Sequence, residues 1–467
     1  MQRELRDAAL PTSETTQSPS HSTQNAGAQQ PVHRCQNVTG PGILPTAVFA
    51  GTRQHGPLRS RILANDHYKR IRDMPAATSE GILAATKEIE PWMIAIRRRL
   101  HQCPELLYDL HETSQLVCDE LKKLDIPFET GIAETGIVAT IGSDTSRCVM
   151  LRADMDALPI EETADVEFKS RNAGVMHACG HDCHTAMLLG AAKVLKHEEP
   201  KMRGTVKLCF QPAEEGGAGG KRMCEAGVME NPTVEKALAI HVWPMIPSGQ
   251  LTGCPGTFLA STSAFEIKVA GKGGHAAMPH FSIDPIVTAA KIISSIQTLI
   301  SREQDPMEAG VVSITAVNGG SAFNVIPPEV TLKGTIRSLS SANKDHLKER
   351  LAEVARSMAA ADRCTAEFET IGEDYPETSN DPVLWNSVRE MGRRIVGQSN
   401  FPVCSPTLGG EDFSYYGAHA PTCFVGVGCG NESEGCTFGL HHPQFKMDES
   451  VLHIGTALHV AFVNEHL

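Results

Sequence analysis

The stretch "MHACGHDCHTAM", Met176 to Met187, places three histidines, two cysteines and an aspartate in the eight residues from His177 to His184. Core packing alone does not favour so many coordinating side chains together, so the cluster points to metal. It fits a structural zinc knot, a nucleophilic cysteine with its base, or half of a catalytic metal site. A structural zinc closes on four protein ligands, mostly cysteines from two knuckles. Here Cys179 and Cys183 do not form a C-x-x-C knuckle, and no second knuckle follows. The same spacing argues against a thioredoxin-type redox pair.

A second group weighs the balance towards hydrolysis. "QPAEEGG" ends in Glu214 and Glu215 before a run of glycines, taken here as flexible. Read as extended backbone, neighbouring side chains point to opposite sides, so one carboxylate can hold a metal while the other faces the water to be activated. A hydrolytic centre needs that division, since a metal acidifies water and a nearby carboxylate takes its proton. His241 in "KALAIHVWP" adds an imidazole at the expected end of the next strand. Thiolate, imidazole and carboxylate together suit Zn²⁺ or Mn²⁺, with two shared ions roughly 3.5–4 Å apart. Two rivals stay open. A hydrolase with Cys179 as nucleophile leaves the carboxylate pair idle, and a metal-loaded scaffold has no need of a base.

The elements that must position these groups alternate. "ATKEIEPWMIAIRRRLHQCPE" has helical spacing at Ile89, Met93, Ile96 and Leu100, and "HETSQLVCDELKKLDI" follows as a helix capped by Thr113 or Ser114. "CVMLRADMDALP" reads as a buried strand delivering Asp154 and Asp156, and "TVKLCFQPAEEGG" as another. Apolar strands alternating with helices predict an α/β layer with a largely parallel sheet, whose ligand site lies off the carboxyl ends of the strands. Residues 262–371 differ. Their order βαββαβ is that of a ferredoxin-like unit, inserted between a first part of the larger domain at 77–261 and a second at 372–467.

Residues 1–76 are rich in Ser, Thr, Gln, Pro and Gly, with Arg3, Arg6, Arg34, Arg53 and Arg59 and few acids. They fit a disordered extension or a plastid or mitochondrial transit segment. The 467 residues suggest two or three domains, and 41% hydrophobic with 21% charged content is that of a globular chain. A net charge of −13 argues against nucleic-acid binding. No run approaches the roughly 18 apolar residues of a membrane span. The fourteen cysteines are too dispersed for a disulfide scaffold and read as reduced.

The motifs "LRADMDALP", "MHACGHDCHTAMLLGAA", "GTVKLCFQPAEEGGAGG", "GKGGHAAMPH", "NVIPPEV", "GTIRSLS", "LGGEDFS" and "GLHHPQF" stand in the order seen in the M20 metallopeptidase family. The chain resembles its amidohydrolase branch from about residue 85 onward, with phrases similar to those of plant auxin-amino acid conjugate hydrolases. That resemblance implies a di-metal catalytic domain with an inserted lid or dimerisation domain and a homodimer formed through it. It implies Cys179, His181, Glu215, His241 and His441 as ligands to two Mn²⁺ or Zn²⁺ ions. Glu214 would be the general base and proton donor, Asp156 would orient a group at the metals, and His275 would stabilise the oxyanion, in its own or a partner's site. Asn324 and Arg337 would bind the substrate. The implied reaction is hydrolysis of an N-acyl amino acid to a carboxylic acid and an amino acid, with aminoacylase, carboxypeptidase and dipeptidase activities as alternatives.

Overall fold

A computed structural model of the chain describes residues 78–467. The extension at 1–76 and the reading of it as a targeting segment lie outside the described residues. Helices α1 (Ser79–Glu88), α2 (Glu90–Gln102) and α3 (His111–Lys123) come first, then β1 (Phe128–Ile132), β2 (Gly136–Ile141) and β3 (Cys148–Asp154). The run expected as one helix from residue 85 is two, broken at Ile89 before Pro91, which fits a helix's first turn but not its interior. The expected cap at Thr113 or Ser114 is also displaced. α3 begins at His111 after Leu110, and the N–H groups of Glu112 and Thr113 are instead taken up by the Glu105 carboxylate.

The chain continues through α4 (His181–Glu198), β4 (Thr205–Gln211), α5 (Gly219–Glu225), β5 (Lys236–Pro247), β6 (Leu251–Thr252) and β7 (Gly256–Leu259). A second sheet region follows: β8 (Ser261–Ala270), β9 (Gly274–His275), α6 (Pro285–Thr298), β10 (Gly310–Asn318), β11 (Val325–Ile326), β12 (Glu329–Ser338), α7 (Ser341–Ala361) and β13 (Thr365–Tyr375). Then β14 (Thr378–Asn380), α8 (Pro382–Val396), β15 (Thr422–Gly430) and α9 (Leu452–His466) return to the first layer.

The large sheet has the order β1-β2-β4-β3-β5-β15-β6. Its centre, β4-β3-β5-β15, is parallel, and its edges are antiparallel. β3 and β4 are buried at every residue, as strands covered on both faces must be. The four-stranded sheet has the order β10-β12-β8-β13, antiparallel throughout, with α6 and α7 packed on one side. This is the ferredoxin-like arrangement that the βαββαβ order predicts.

α4 is the element on which the histidine–cysteine cluster rides, and it lies inside the core between α2, α9 and the large sheet. Gly180 precedes it with φ +88°, and a Cβ there would come within 2.4 Å of Val242 Cγ2. Only glycine lets the helix start this close to β5. Asp182 is fully buried one residue past His181. It forms an ion pair with Arg97 Nε at 2.8 Å and pairs with His101 Nδ1 at 2.7 Å, and His101 Nε2 reaches Glu162 at 3.1 Å. Phe168 lies 4.8 Å from Arg97 and 4.6 Å from Arg98, closing the network from outside. Removing one member of a buried pair strands the other's charge at about 3–5 kcal/mol. Arg97→Met should therefore lower the urea-unfolding free energy by about that much. Arg99→Met, at a half-exposed pair with Glu120, should change it by less than about 1 kcal/mol.

Candidate metal centre and cleft

Five chain segments meet at the carboxyl edge of the parallel strands. Asp156 lies two residues past β3, Glu214 and Glu215 lie beyond β4, and Cys179 and His181 lie at the start of α4. His241 was expected to end its strand, but β5 runs on to Pro247. On the β3 side the ladder stops at Ala239, while on the β15 side it continues past His241 opposite Gly426. His241 is thus still delivered to the open side of the strand, where β3 has already turned away.

The reading of Glu214 and Glu215 as extended backbone also needs correction. β4 ends at Gln211, and the pair occupies a tight turn entered through Ala213 at φ +56°. The turn, not strand alternation, separates the two carboxylates. Of the glycines that follow, Gly216 has open space around it, whereas Gly217 and Gly219 are closely confined. A Cβ on Gly219 would lie 1.7 Å from Pro212 O, and one on Gly217 would lie 2.7 Å from Ala213 Cβ.

The donors converge in overlapping groups. Ligand atoms of Cys179, His181 and His241 lie within 4.8 Å of one another, as do those of Cys179, Glu215 and His441, and those of His181, Glu214 and Glu215. Cys179 Sγ is 3.4 Å from His241 Nε2, and His441 Nε2 is 3.3 Å from Glu215 Oε1. His441 arrives from far along the chain at φ +62°, and its N–H donates to Ala178 O at 2.8 Å. Asp156 accepts from the N–H groups of Glu214 and Glu215, each at 3.0 Å, and meets His181 Nδ1 at 3.2 Å. His181 Nε2 is buried without a hydrogen-bond partner.

These observations suit a cation. Burial opposes charge on His181, yet Asp154 and Asp156 prevail and lift it to about 10. Burial, and then the Glu215 and Glu214 carboxylates, push the Cys179 thiol well above its ordinary range. That is the reverse of a free nucleophilic cysteine, which needs an electropositive setting. Burial and the neighbouring Glu411 and Glu215 likewise push Glu214 up. The site holds concentrated negative charge, an unpartnered imidazole nitrogen and a thiol that a divalent ion would turn into a ligand.

A neighbouring group of Asp154, His181 and His184 has the same spacing, but Asp154 and His184 are occupied. Asp154 pairs with Arg152 Nη1 at 2.7 Å and with His184 Nδ1 at 2.5 Å, and His184 Nε2 accepts from Val242 N at 2.9 Å. Arg152, buried beneath the site, also reaches Glu411 at 3.0 Å and Asp412 at 2.8 Å. Asp412 accepts from Gln211 Nε2 and from Gly220 N. Asp154 and the "LGGEDFS" motif that holds Glu411 stood out in the sequence, but their joining through Arg152 did not. The one signal of that joining was the charged Arg152 inside an otherwise apolar strand.

Above the donors opens a cavity of about 580 Å³. Trp243, Leu259, Phe424 and Leu440 give it an apolar wall, and Arg337 is its one Lys or Arg among the described residues. Arg337 Nη1 donates to Leu408 O at 3.0 Å. Two expected residues are not brought here. His275 ends β9 and Asn324 stands just before β11, two short strands that pair antiparallel although α6 and β10 lie between them in the chain. Ala276 N donates to Asn324 O at 3.1 Å, and neither His275 nor Asn324 lines the cavity. His177 is buried 6.2 Å from the His101 ring, with both ring nitrogens unpartnered.

Residues 150–465 match the peptidase family M20/M25/M40. IAA-amino acid hydrolase ILR1-like 4 of Arabidopsis thaliana is 42% identical over 388 residues, 82% of this chain and 88% of that protein. Thermostable carboxypeptidase 2 of Saccharolobus solfataricus is 42% identical over 377 residues, 80% of this chain and 95% of that protein. Among solved structures, a dinuclear metal-binding M20 peptidase of Bacillus subtilis superposes with a TM-score of 0.70 at 33% identity, covering 81% of this chain and 98% of that one. The eight ordered motifs, the two-sheet fold and these matches agree: the chain belongs to peptidase family M20/M25/M40, hydrolases of amide bonds.

Proposed function

We propose that the protein is a binuclear amidohydrolase that cleaves N-acyl amino acids to a carboxylic acid and a free amino acid. The observation that carries this reading is Glu214 set beside the overlapping donor groups at the floor of the cavity. Cys179, His181, Glu215, His241 and His441 would hold two divalent ions, Mn²⁺ or Zn²⁺, with Cys179 common to two of the groups. The dinuclear character of the Bacillus subtilis relative supports two ions. Such ions supply Lewis acidity, bringing water into the range of a carboxylate base and polarising the amide carbonyl.

The protein's own groups divide the remaining work. Glu214 takes the proton of the attacking water and returns it to the leaving nitrogen. Burial among other acids raises its proton affinity, which favours the first of these transfers. Asp156 fixes both glutamates through their backbone N–H groups and orients His181. Arg337 meets the amino acid's carboxylate, for which a guanidinium fork is suited, and the apolar wall takes the acyl group. The relatives named for IAA-amino acids and for carboxypeptidase activity fit an amide next to a free carboxylate. Indole-3-acetic acid conjugates are the first candidates, and aminoacylase, carboxypeptidase or dipeptidase substrates are the alternatives.

The inserted unit at 262–371, which β13 extends to Tyr375, we assign as lid and dimerisation domain. Its β9–β11 strand pair and the residues flanking it carry His275 and Asn324 beside exposed Met278, Phe281 and Phe323. Apolar groups left open to water in this way suit a second copy or a closed lid, and either would bring His275 and Asn324 to a bound substrate.

Two outcomes follow. Glu214→Gln should retain bound metal, measured by elemental analysis, while turnover falls by on the order of 10³-fold or more; an active variant would exclude Glu214 as base. Chelation should abolish hydrolysis of an N-acetyl, N-benzoyl and indole-3-acetyl amino acid panel, and Mn²⁺ or Zn²⁺ should restore it. Activity that survives chelation but not thiol alkylation would revive the nucleophilic Cys179.

A further inference from the structure

Glu214 sits in a turn, Ala213 to Ala218, that this backbone does not favour unaided. Ala213 and Ala218 lie in the left-handed region at φ +56° and +55°, with Gly216 between them at +89°. A side-chain-bearing residue enters that region only where its surroundings hold it there. Three side chains from elsewhere in the chain do so. Asp156 takes the N–H groups of Glu214 and Glu215. The Tyr108 hydroxyl donates to Gly217 O at 2.5 Å.

The third is Tyr375. Its hydroxyl donates to Glu214 O at 2.8 Å and accepts from Ala218 N at 3.0 Å, so a single phenol oxygen ties the backbone of the glutamate to the far end of its own turn. Both bonds are buried, beyond easy replacement by water. Burial, followed by Asp412 and Glu214, pushes the phenol's proton affinity up, so it remains a donor. The ring is itself fixed, edge-on to Tyr415 at 6.0 Å, and the Tyr415 hydroxyl donates to Asp374 O at 2.6 Å.

The place of Tyr375 in the fold gives this contact its meaning. It is the last residue of β13 and pairs with Thr262, the second residue of β8. The chain enters the four-stranded sheet at β8 and leaves it at β13, so Tyr375 stands where the two crossings lie side by side. We propose that Tyr375 is a positioning residue that sets the backbone of Glu214 from the hinge of the inserted unit. Movement of that unit is thereby communicated to the proton-transferring carboxylate. The inference rests on the reading of Glu214 as base. It predicts an effect on turnover more than on binding, because both hydrogen bonds of the hydroxyl go to the turn's backbone.

The test compares wild type, Tyr375→Phe and Glu214→Gln as full chains reconstituted with Mn²⁺, on an N-acyl amino acid that the wild type hydrolyses. Tyr375→Phe removes one oxygen and keeps the ring. Its kcat should fall by on the order of 10- to 100-fold with KM within about twofold, as a displaced catalytic group requires. Hydrogen exchange on the chain without added metal gives a readout independent of activity. Amides of 213–218 should exchange faster in Tyr375→Phe, with those of β3, β4 and β5 unchanged. A wild-type kcat, or unchanged exchange in 213–218, or faster exchange spread over the whole chain, would overturn the proposal. If Glu214→Gln were active, the reading of the base would fail instead, and separately.

Discussion

Buried negative charge is the constraint around which the protein is arranged. Asp154, Asp156, Glu214, Glu411 and Asp412 are all removed from water around one cleft, and carboxylates are not held there without compensation. The compensation comes in two layers. Beneath the cleft Arg152 takes Asp154, Glu411 and Asp412 at once. Above that layer no Lys or Arg among the described residues is paired with Glu214 or Glu215; their carboxylates lie beside histidines and a thiol, and their backbone N–H groups are taken by Asp156. The upper layer is completed by divalent cations in our reading, and the lower one keeps the floor in place.

The fold follows from this need to bring acids from distant parts of the chain together. Parallel strands all end at one edge, so β3 and β4 deliver their loops to the same place, and α4 returns there with Cys179 and His181. The inserted four-stranded sheet adds a second wall through Arg337 and Tyr375. Its attachment is narrow: β7 passes to β8 through Ala260 alone, and the return from β13 reaches β14 within two residues. Such short crossings, with Tyr375 reaching the Glu214 turn, make the hinge part of the site.

Much of this was legible in the sequence because the chemistry is local. Cys179 and His181 share one motif, Glu214 and Glu215 another, and apolar runs mark the strands that carry them. The ferredoxin-like unit was legible for a similar reason, since period-two and helical patterns alternate cleanly there. What escaped depends on contacts across the chain. That β5 outlasts its pairing with β3, leaving His241 in mid-strand, is decided by β15, nearly two hundred residues later. The turn at Ala213 is imposed by Asp156, Tyr108 and Tyr375, none of them near it in sequence. Arg152, Glu411 and Asp412 are separate charged residues until the fold joins them. The β9–β11 strand pair with His275 and Asn324 carries their motifs but stands outside the cavity of a single chain.

The central claim is that five side chains from four regions of the sequence hold two ions beside Glu214. Anomalous diffraction from crystals of the Mn²⁺- or Zn²⁺-loaded protein tests it directly. The account predicts two peaks roughly 3.5–4 Å apart, bounded by Cys179, His181, Glu215, His241 and His441. Metal held instead at Asp154 and His184, or no ordered peak at this cleft in a metal-replete protein, would contradict it.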